Sequence, residues 1–268
     1  MLGSTLHTVN IRLSPSQIAY TIDHAEDDVI LFHADFIPLL EEVMLEVKRD
    51  ARLIVMRDSA DIELPQTTLK IEAIFDELFI DTDQYFSFPD FDENTRATTF
   101  YTTGTTGNPK AVAYSHRQLV LHTMGILATF GPMSADNRLH NRDVYMPITP
   151  MFHVHGWGFP YAATMLGLKQ IYPNRYVPNR LAELVCEHKV TFSHCVPTIL
   201  HMLLDSDAAA SADLSNWKLI IGGSALSRGL AERALAKGIN LFSAYGLSET
   251  CPLLTCLLYT SPSPRDTG

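Results

Sequence analysis

A run of small hydroxylated residues and glycines, followed by one lysine, is the segment of this sequence best suited to bind phosphate. It reads TTGTTGNPK and spans Thr102 to Lys110. Glycine lets a backbone approach a ligand closely, hydroxyls bind phosphate or a hard cation, and lysine adds a point charge. Ser115 and Gln118 form a capping box, which predicts a helix from about His116. We therefore predict a loop between a strand and a helix, where backbone N–H groups and the helix dipole favour an anion.

A Walker A loop and a plain glycine-rich turn are the two other interpretations of this segment. A Walker A loop needs lysine and then Ser or Thr directly after its second glycine, whereas Asn108-Pro109-Lys110-Ala111 follows Gly107. The Walker A pattern is therefore excluded. A plain glycine-rich turn without a ligand stays open as the alternative to a phosphate loop.

Two later segments also carry residues that could do chemistry. PMFHVHGWGFPY, residues 150–161, places His153 and Trp157 in an apolar stretch after a strand-like run. By itself His153 is more typical of a satisfied core histidine than of a catalytic one, and Trp157 is as typical of core packing as of a functional role. GGSAL and YGLSET follow two further strand-like runs. GGSAL begins the GxSxG pattern of α/β hydrolases, but Leu226 stands where the last glycine is required, so a hydrolase is disfavoured.

The composition restricts the classes of partner and compartment. The 268 residues carry 20 Lys+Arg against 30 Asp+Glu, a net charge of −10, and there is no basic tract. We therefore expect no nucleic-acid partner, since phosphate-backbone binding needs a positive surface. Four cysteines lack metal-type spacing and indicate free thiols in a reducing compartment. No apolar run approaches the ~18 residues of a membrane span, and no signal peptide is recognisable, so we expect a cytoplasmic protein.

Helix and strand signals alternate along the chain. Ser14-Pro15-Ser16-Gln17 is a capping box with proline at the first helical position. VILFH (29–33) and RLIVM (52–56) are typical of buried strands, and the alternation resumes after the glycine loop as far as INLFSAYG. The pattern predicts an α/β fold of layered βαβ units with largely parallel sheets.

Together and in this order, the three segments resemble the acyl-adenylate-forming superfamily of acyl-CoA synthetases, firefly-type luciferases and adenylation domains. YTTGTTGNPKAVAYSH is similar to its phosphate loop, PMFHVHGWGFPY to its substrate segment, and GGSAL with YGLSET to its adenine- and magnesium-binding stretch. LHTVNIRLSPSQIAY and PMFHVHGWGFPY look most like medium- or long-chain fatty acyl-CoA synthetases. The resemblance implies that residues 1–255 are part of the N-terminal adenylation domain, truncated at both ends, and that the C-terminal lid domain is absent.

The resemblance also implies an activity for the parent enzyme. That activity is ATP-dependent conversion of a fatty acid to an acyl-adenylate and transfer of the acyl group to coenzyme A, with ATP, Mg²⁺ and coenzyme A as cofactors. Such an enzyme has no transmembrane segment and is compatible with peripheral membrane contact. We expect the fragment itself to be inactive, because the family's C-terminal lysine is absent. An aryl- or short-chain acyl-CoA ligase, or a non-catalytic nucleotide-binding module for the fragment, are the alternatives.

The site residues that the resemblance implies fall into four groups. His153, Glu249 and Lys110 are the implied catalytic residues, with His153 positioning the substrate. Thr103 and Glu249 are the implied Mg²⁺ ligands, and Trp157 gates the acyl tunnel beside Gly222 and Gly223. The phosphate-loop residues are Thr102, Thr103, Gly104, Thr105, Thr106 and Gly107. The nucleotide is lined by Ser243, Ala244, Tyr245, Gly246 and Ser248, with Tyr245 stacked on adenine.

One position departs from the family pattern, and five histidines have no assigned role. Ala111 replaces the glycine that the family usually has after the loop lysine. The histidines interpreted as structural are His116, His122, His155, His194 and His201.

The last thirteen residues have a different composition from the rest of the chain. CLLYTSPSPRDTG, residues 256–268, resembles the conceptual translation of a transposase-based sequencing adapter, matching from Cys256 through Asp266. We expect this tail to be non-native, with a natural Pro-rich tail as the alternative, and fold expectations stop at Thr255.

Overall fold

The computed structural model describes residues 2–59, 61–80, 85–103 and 107–259. The chain forms two compact units, Met1–Ser115 and His116–Gly268. The first unit contains two three-stranded sheets and the second contains one six-stranded sheet.

Among its described residues, the first unit has six strands and two α-helices. In chain order they are β1 (Leu6–His7), α1 (Pro15–Ala25), β2 (Val29–His33), α2 (Ile37–Met44), β3 (Arg52–Met56), β4 (Ile71–Ile74), β5 (Arg96–Thr102) and β6 (Lys110–Ser115). β2, β3 and β4 pair in parallel, and α1 and α2 contribute to one apolar core with them. The predicted capping box at Ser14 and the strands at 29–33 and 52–56 are confirmed.

The second sheet of this unit corrects the prediction for the glycine loop. β1 runs parallel to β5, and β5 pairs antiparallel with β6. The loop therefore joins two antiparallel strands, closed by the pair Thr102 and Lys110. α3 begins at His116 only after the six residues of β6. The expected helix N-terminus is not at the loop, because the apolar alternation of residues 110–115 pairs as a strand first.

The second unit follows the predicted alternation closely. Its strands are β7 (Val144–Pro147), β8 (Lys169–Gln170), β9 (Phe192–Cys195), β10 (Lys218–Ile221), β11 (Asn240–Gly246) and β12 (Leu253–Leu258). Its helices are α3 (His116–Phe130), α4 (Val154–Trp157), α5 (Phe159–Met165), α6 (Pro178–His188), α7 (Pro197–Leu204), α8 (Asp207–Ser211) and α9 (Arg228–Ala236). The sheet order is β12-β11-β10-β9-β7-β8, and every pair is parallel except β11 with β12. The α/β fold with parallel-rich sheets is confirmed.

The parallel strands bring several predicted site segments to one edge of the sheet. β9, β10 and β11 are paired side by side, so the residues that follow each strand emerge at the same edge. Gly222 and Gly223 follow β10, and YGLSET lies at the end of β11. Ligands of open α/β sheets bind at the carboxyl ends of the strands, so this edge is where a site is expected.

A buried ion pair fixes the opposite end of β10. Nζ of Lys218 lies 2.5 Å from Oδ1 of Asp143 and donates to the carbonyl oxygen of Arg138 at 2.8 Å. The hydroxyl of Thr191 donates to the same Asp143 oxygen at 2.6 Å, and the backbone N–H of His140 donates to its other oxygen at 2.8 Å. Every charge of the pair is therefore compensated, as burial requires.

β12 continues past Thr255 into the first three residues of the tail that begins at Cys256. Cys256, Leu257 and Leu258 pair with Ala244, Ser243 and Phe242 of β11. Strand pairing does not show whether an apolar segment is native or derived from an adapter. The adapter origin of the tail therefore stays a prediction. Sequencing the source DNA past the codon for Thr255 tests it. Among the described residues, no helix is long and apolar enough to cross a membrane.

Candidate functional site

A cavity of ≈ 230 Å³ lies within the second unit at the ends of β10 and β11. It brings together eight of the predicted site residues, namely His153, Trp157, Gly222, Gly223, Ala244, Tyr245, Gly246 and Ser248. Four further residues line it, namely Val154, Leu247, Pro252 and Leu253. The wall is therefore a mixture of aromatic, aliphatic and bare backbone surface, a composition typical of small-molecule sites.

The indole of Trp157 forms one wall of the cavity and packs on the two glycines that follow β10. A Cβ placed on Gly222 would lie 3.2 Å from Cη2 of Trp157, and one placed on Gly223 would lie 3.7 Å from its Cζ2. Gly223 also has φ +81°, in the left-handed region that glycine adopts without strain. Trp157 is only 6% exposed. A side chain at position 222 would therefore crowd the aromatic ring, whereas glycine at position 223 is favoured by its positive φ and by Cγ1 of Val196 at 3.2 Å from a Cβ there.

The segment that carries His153 and Trp157 turns in the left-handed sense. Residues 154–158 have φ between +50° and +73° throughout. For residues other than glycine this conformation costs about 1–2 kcal/mol each, and a β-branched residue such as Val154 rarely adopts it. Strain of this kind persists only where the surroundings enforce it, and it concentrates at functional sites. The turn places exposed His153 and buried Trp157 on the same cavity.

A close backbone crossing shapes the other side of the cavity. A Cβ on Gly246 would lie 1.8 Å from the carbonyl oxygen of Pro252, so only glycine fits at this position. The backbone N–H of Leu247 donates to the same Pro252 oxygen at 3.1 Å, and the hydroxyl of Thr250 also donates to it. This crossing leaves the ring of Tyr245 59% exposed at the cavity. An exposed aromatic face beside a cavity is a suitable surface for stacking a planar group.

Two predicted residues of this unit do not line the cavity. Ser243 is an exposed residue of β11, and Glu249 is exposed in the 3₁₀ turn Ser248–Thr250. Glu249 directly follows Ser248, which lines the cavity, but Glu249 itself is not part of the lining.

The predicted Mg²⁺ ligands are a hydroxyl and a carboxylate, which are the hard oxygen donors that this ion prefers. Thr103 is exposed at the end of β5, and Glu249 is likewise exposed. Within the described ranges, no group of three or more His, Cys, Asp or Glu side chains forms a metal site. The chemistry of each donor suits a hydrated Mg²⁺ ion, and Thr103 belongs to the first unit while Glu249 belongs to the second.

The phosphate-loop residues belong to the first unit. Thr102 faces Lys110 across the strand pair, and its hydroxyl donates to the carbonyl oxygen of Lys110 at 3.4 Å. Gly107 has φ +98° and space around its Cα, while Lys110 is exposed. Gly104, Thr105 and Thr106 lie outside the described residues. Ala111 lies within β6 without positive φ, so the glycine usual in the family is not required for the backbone there.

Sequence reasoning missed four of the cavity-lining residues. Val154 and Leu247 lie inside the recognised motifs, but no signal assigned them to the wall. Pro252 and Leu253 follow the last motif, and they reach the cavity only because β12 folds back antiparallel to β11.

Comparisons with known proteins agree with this architecture. The sequence model of the AMP-binding enzyme family matches residues 1–268. A long-chain-fatty-acid–CoA ligase of Thermus thermophilus is 40% identical over 255 residues, covering 94% of this chain and 44% of that protein. A 3-methylmercaptopropionyl-CoA ligase of Ruegeria pomeroyi is 39% identical over 261 residues, covering 94% and 46%. The chain thus spans less than half the length of these relatives.

Solved structures show the same fold. The anthranilate CoA ligase AuaEII, solved in complex with anthranoyl-AMP, superimposes with a TM-score of 0.80 at 18% identity, covering 97% of this chain and 48% of that one. The family match extends over the whole chain, and the three motifs, the parallel-rich sheet and the cavity at its edge agree with it. The chain therefore belongs to the AMP-binding enzyme family.

Proposed function

We propose that the protein containing this chain activates a fatty acid with ATP, forming an acyl-adenylate, and transfers the acyl group to coenzyme A. The observation that carries the proposal is the cavity that places His153 and Trp157 beside the exposed ring of Tyr245. One end of such a cavity suits an apolar acyl chain, and the other suits a planar base. The carboxylate to be activated would lie between them.

The acyl group would pack on Trp157 and on the backbone of Gly222 and Gly223. Burial of apolar surface contributes about 0.8 kcal/mol per methylene, which is enough to select a chain by length. His153, exposed at the cavity, is the residue we assign to orienting the carboxylate.

The nucleotide would stack on Tyr245, with Ser243, Ala244, Gly246 and Ser248 along it. Its β- and γ-phosphates would contact Thr102 to Gly107, with Lys110 supplying a positive charge. In-line displacement at phosphorus depends chiefly on positioning and on neutralising charge, and this loop offers residues for both.

Mg²⁺ would be held by Thr103 and Glu249, whose hydroxyl and carboxylate suit a water-rich ion. When bound, the ion neutralises charge on the phosphate oxygens. The residues of the chain then act by holding the reactants in line.

The two chemical steps are substitutions. The fatty-acid carboxylate attacks the α-phosphorus of ATP, the bond to the bridging oxygen breaks, and pyrophosphate leaves. The thiol of coenzyme A then attacks the acyl carbon, loses its proton, and displaces AMP. We assign both steps to the protein of full family length, because this chain corresponds to less than half of its relatives.

The test is fatty-acid-dependent release of pyrophosphate and AMP by the protein of full family length that carries this chain. We expect acyl-CoA formation, and we expect Glu249→Gln to lower kcat by about a hundredfold, the loss typical of removing one electrostatic contact to a transition state. Glu232→Gln, an exposed carboxylate on α9, is the matched control and should leave kcat unchanged. Absence of AMP release with every carboxylic acid tried would overturn the proposal.

A short-chain acid is the second candidate, and one observation favours it. The relative at 39% identity is named a 3-methylmercaptopropionyl-CoA ligase, and a cavity of ≈ 230 Å³ suits a short chain. Competition between 3-methylmercaptopropionate and fatty acids from hexanoate to hexadecanoate, measured as kcat/KM, separates the two candidates.

We also propose a cytoplasmic location, since the four cysteines are free thiols in the structure.

A further inference from the structure

A second set of buried side chains, around His194 of β9, also contacts Trp157. The imidazole of His194 in β9 is fully buried, with its ring centroid 5.3 Å from that of Trp157 and 5.0 Å from that of Phe159. The ring of Phe159 is nearly parallel to the imidazole, at 26°. Trp157 therefore contacts both the imidazole of His194 and the space above Gly222.

Hydrogen bonds fix the orientation of this imidazole. The hydroxyl of Thr149 donates to the carbonyl oxygen of His194 at 3.4 Å, and its oxygen lies 2.9 Å from Nδ1 of the same residue. Nε2 lies 2.6 Å from the hydroxyl of Tyr145, so both ring nitrogens have a hydroxyl partner and the imidazole is held at both ends.

Tyr145, His194 and Thr149 therefore form one hydrogen-bonded chain of side chains. Tyr145 and His194 are completely buried and Thr149 is 2% exposed. Losing one partner would leave a buried polar atom unsatisfied, which is costly enough to make the imidazole move. Such a network holds a ring in one orientation, whereas apolar packing alone allows several.

We propose that His194, fixed by Tyr145 and Thr149, is a positioning residue that holds the indole of Trp157 against Gly222 and Gly223 and so sets the depth of the cavity. The consequence for acyl-chain length rests on the proposed function. Loosening the network would let the indole leave the glycines, and the cavity would deepen toward β9. Longer acyl chains would then be accepted relative to shorter ones.

The first arm of the test observes the indole directly and needs no activity. The chain has two tryptophans, Trp157 and Trp217, so labelling with fluorotryptophan gives two fluorine NMR resonances, assigned with Trp157→Phe. We expect Tyr145→Phe and Thr149→Val to shift, broaden or split the Trp157 resonance by more than a linewidth. Thr149→Ser keeps the hydroxyl and should leave it in place.

Trp217 provides the matched control within the same unit. Its Nε1 donates to the hydroxyl of Ser193, the neighbour of His194 on β9, at 3.0 Å. Ser193→Ala should therefore move the Trp217 resonance and spare that of Trp157. A sharp Trp217 resonance also reports that each variant is folded. Trp157 resonances unchanged in both Tyr145→Phe and Thr149→Val would overturn the positioning role.

The second arm measures acyl-chain preference in the protein of full family length. We expect Tyr145→Phe and Thr149→Val to raise the kcat/KM ratio of dodecanoate over hexanoate by about tenfold, the smallest discrimination expected of one methylene in an apolar pocket. An unchanged ratio with a moved indole would overturn the link to specificity. If the unsubstituted protein activates no fatty acid, the proposed function fails, and the NMR arm still decides the positioning role.

Discussion

Trp157 and Gly222 form a single packed contact, in which the indole occupies the space that a side chain at Gly222 would need. A Cβ there would lie 3.2 Å from Cη2 of Trp157 and 3.2 Å from the carbonyl oxygen of Ala244. The second neighbour is backbone in the adjacent strand, so it cannot rotate away. The glycine therefore determines how closely the indole approaches the sheet, and the indole determines where the cavity ends.

Gly222→Ala should displace the indole and destabilise the second unit. We expect the free energy of unfolding to fall by about 1–3 kcal/mol, the usual cost of overpacking a well-filled core. Urea denaturation followed by tryptophan fluorescence measures it. Gly229→Ala is the control, because a Cβ on this exposed helical glycine meets nothing within 4 Å. That variant should gain about 0.4–1 kcal/mol. Equal effects of the two variants would contradict the contact.

Trp157→Ala should deepen the cavity and cost stability at the same time. We expect a loss of about 3–5 kcal/mol in the free energy of unfolding, as for other buried tryptophans, because the site cannot fully collapse. In the protein of full family length, the kcat/KM profile should move toward longer fatty acids. Trp157→Phe keeps an aromatic wall and should move it less. A profile that is identical in all three proteins would show that the indole does not limit the acyl group.

The buried pair of Lys218 and Asp143 predicts an asymmetric response to mutation. Asp143→Asn should lower the free energy of unfolding by about 3–5 kcal/mol, because the ammonium stays buried without its counter-charge. Adding Lys218→Met should restore part of the loss, since the unpaired charge is then removed.

Urea denaturation of the two single variants and the double variant gives the coupling energy. The exposed pair of Arg228 and Glu232 is the control, and Glu232→Gln should leave the unfolding midpoint in place. Strictly additive losses at residues 143 and 218 would contradict the pairing.

Two histidines, fully buried His194 and partly buried His122, should make the second unit sensitive to acid. Burial lowers the pKa of His194 to about 3 and the pKa of His122 to about 4. In the unfolded chain a histidine titrates near pH ~6.5, so below this pH the unfolded state binds protons that the folded state does not. Stability should therefore be full above pH ~6.5 and fall as the pH drops, by up to about 1.4 kcal/mol per pH unit for each histidine.

Unfolding free energies measured by urea between pH ~7.5 and ~4 test this dependence. His122→Gln should flatten the acidic slope by one proton. Nε2 of His122 has no hydrogen-bond partner among the described residues, so the glutamine loses little there. An unchanged slope would mean that His122 is protonated in the folded state.

Local patterns were enough to predict most elements of the second unit. The alternation of strands and helices from the glycine loop to INLFSAYG follows from apolar spacing, and it is present from α3 to β11. The glycine loop was assigned wrongly, as the entrance to a helix. Its strand β6 is recognised only through pairing with β5, and such pairing is not visible in a local pattern.

The sequence by itself determined the family motifs, their order, and the glycines at positions 222, 223 and 246, because residue type is what lets a backbone approach a neighbour. Only the tertiary structure decided that residues 154–158 turn left-handed and that Pro252 and Leu253 close the cavity. It also decided that Trp157 contacts both Gly222 and His194. These features depend on contacts between segments far apart in the chain, so local conformational preferences cannot specify them. The backbone preference of residues other than glycine even opposes the left-handed turn.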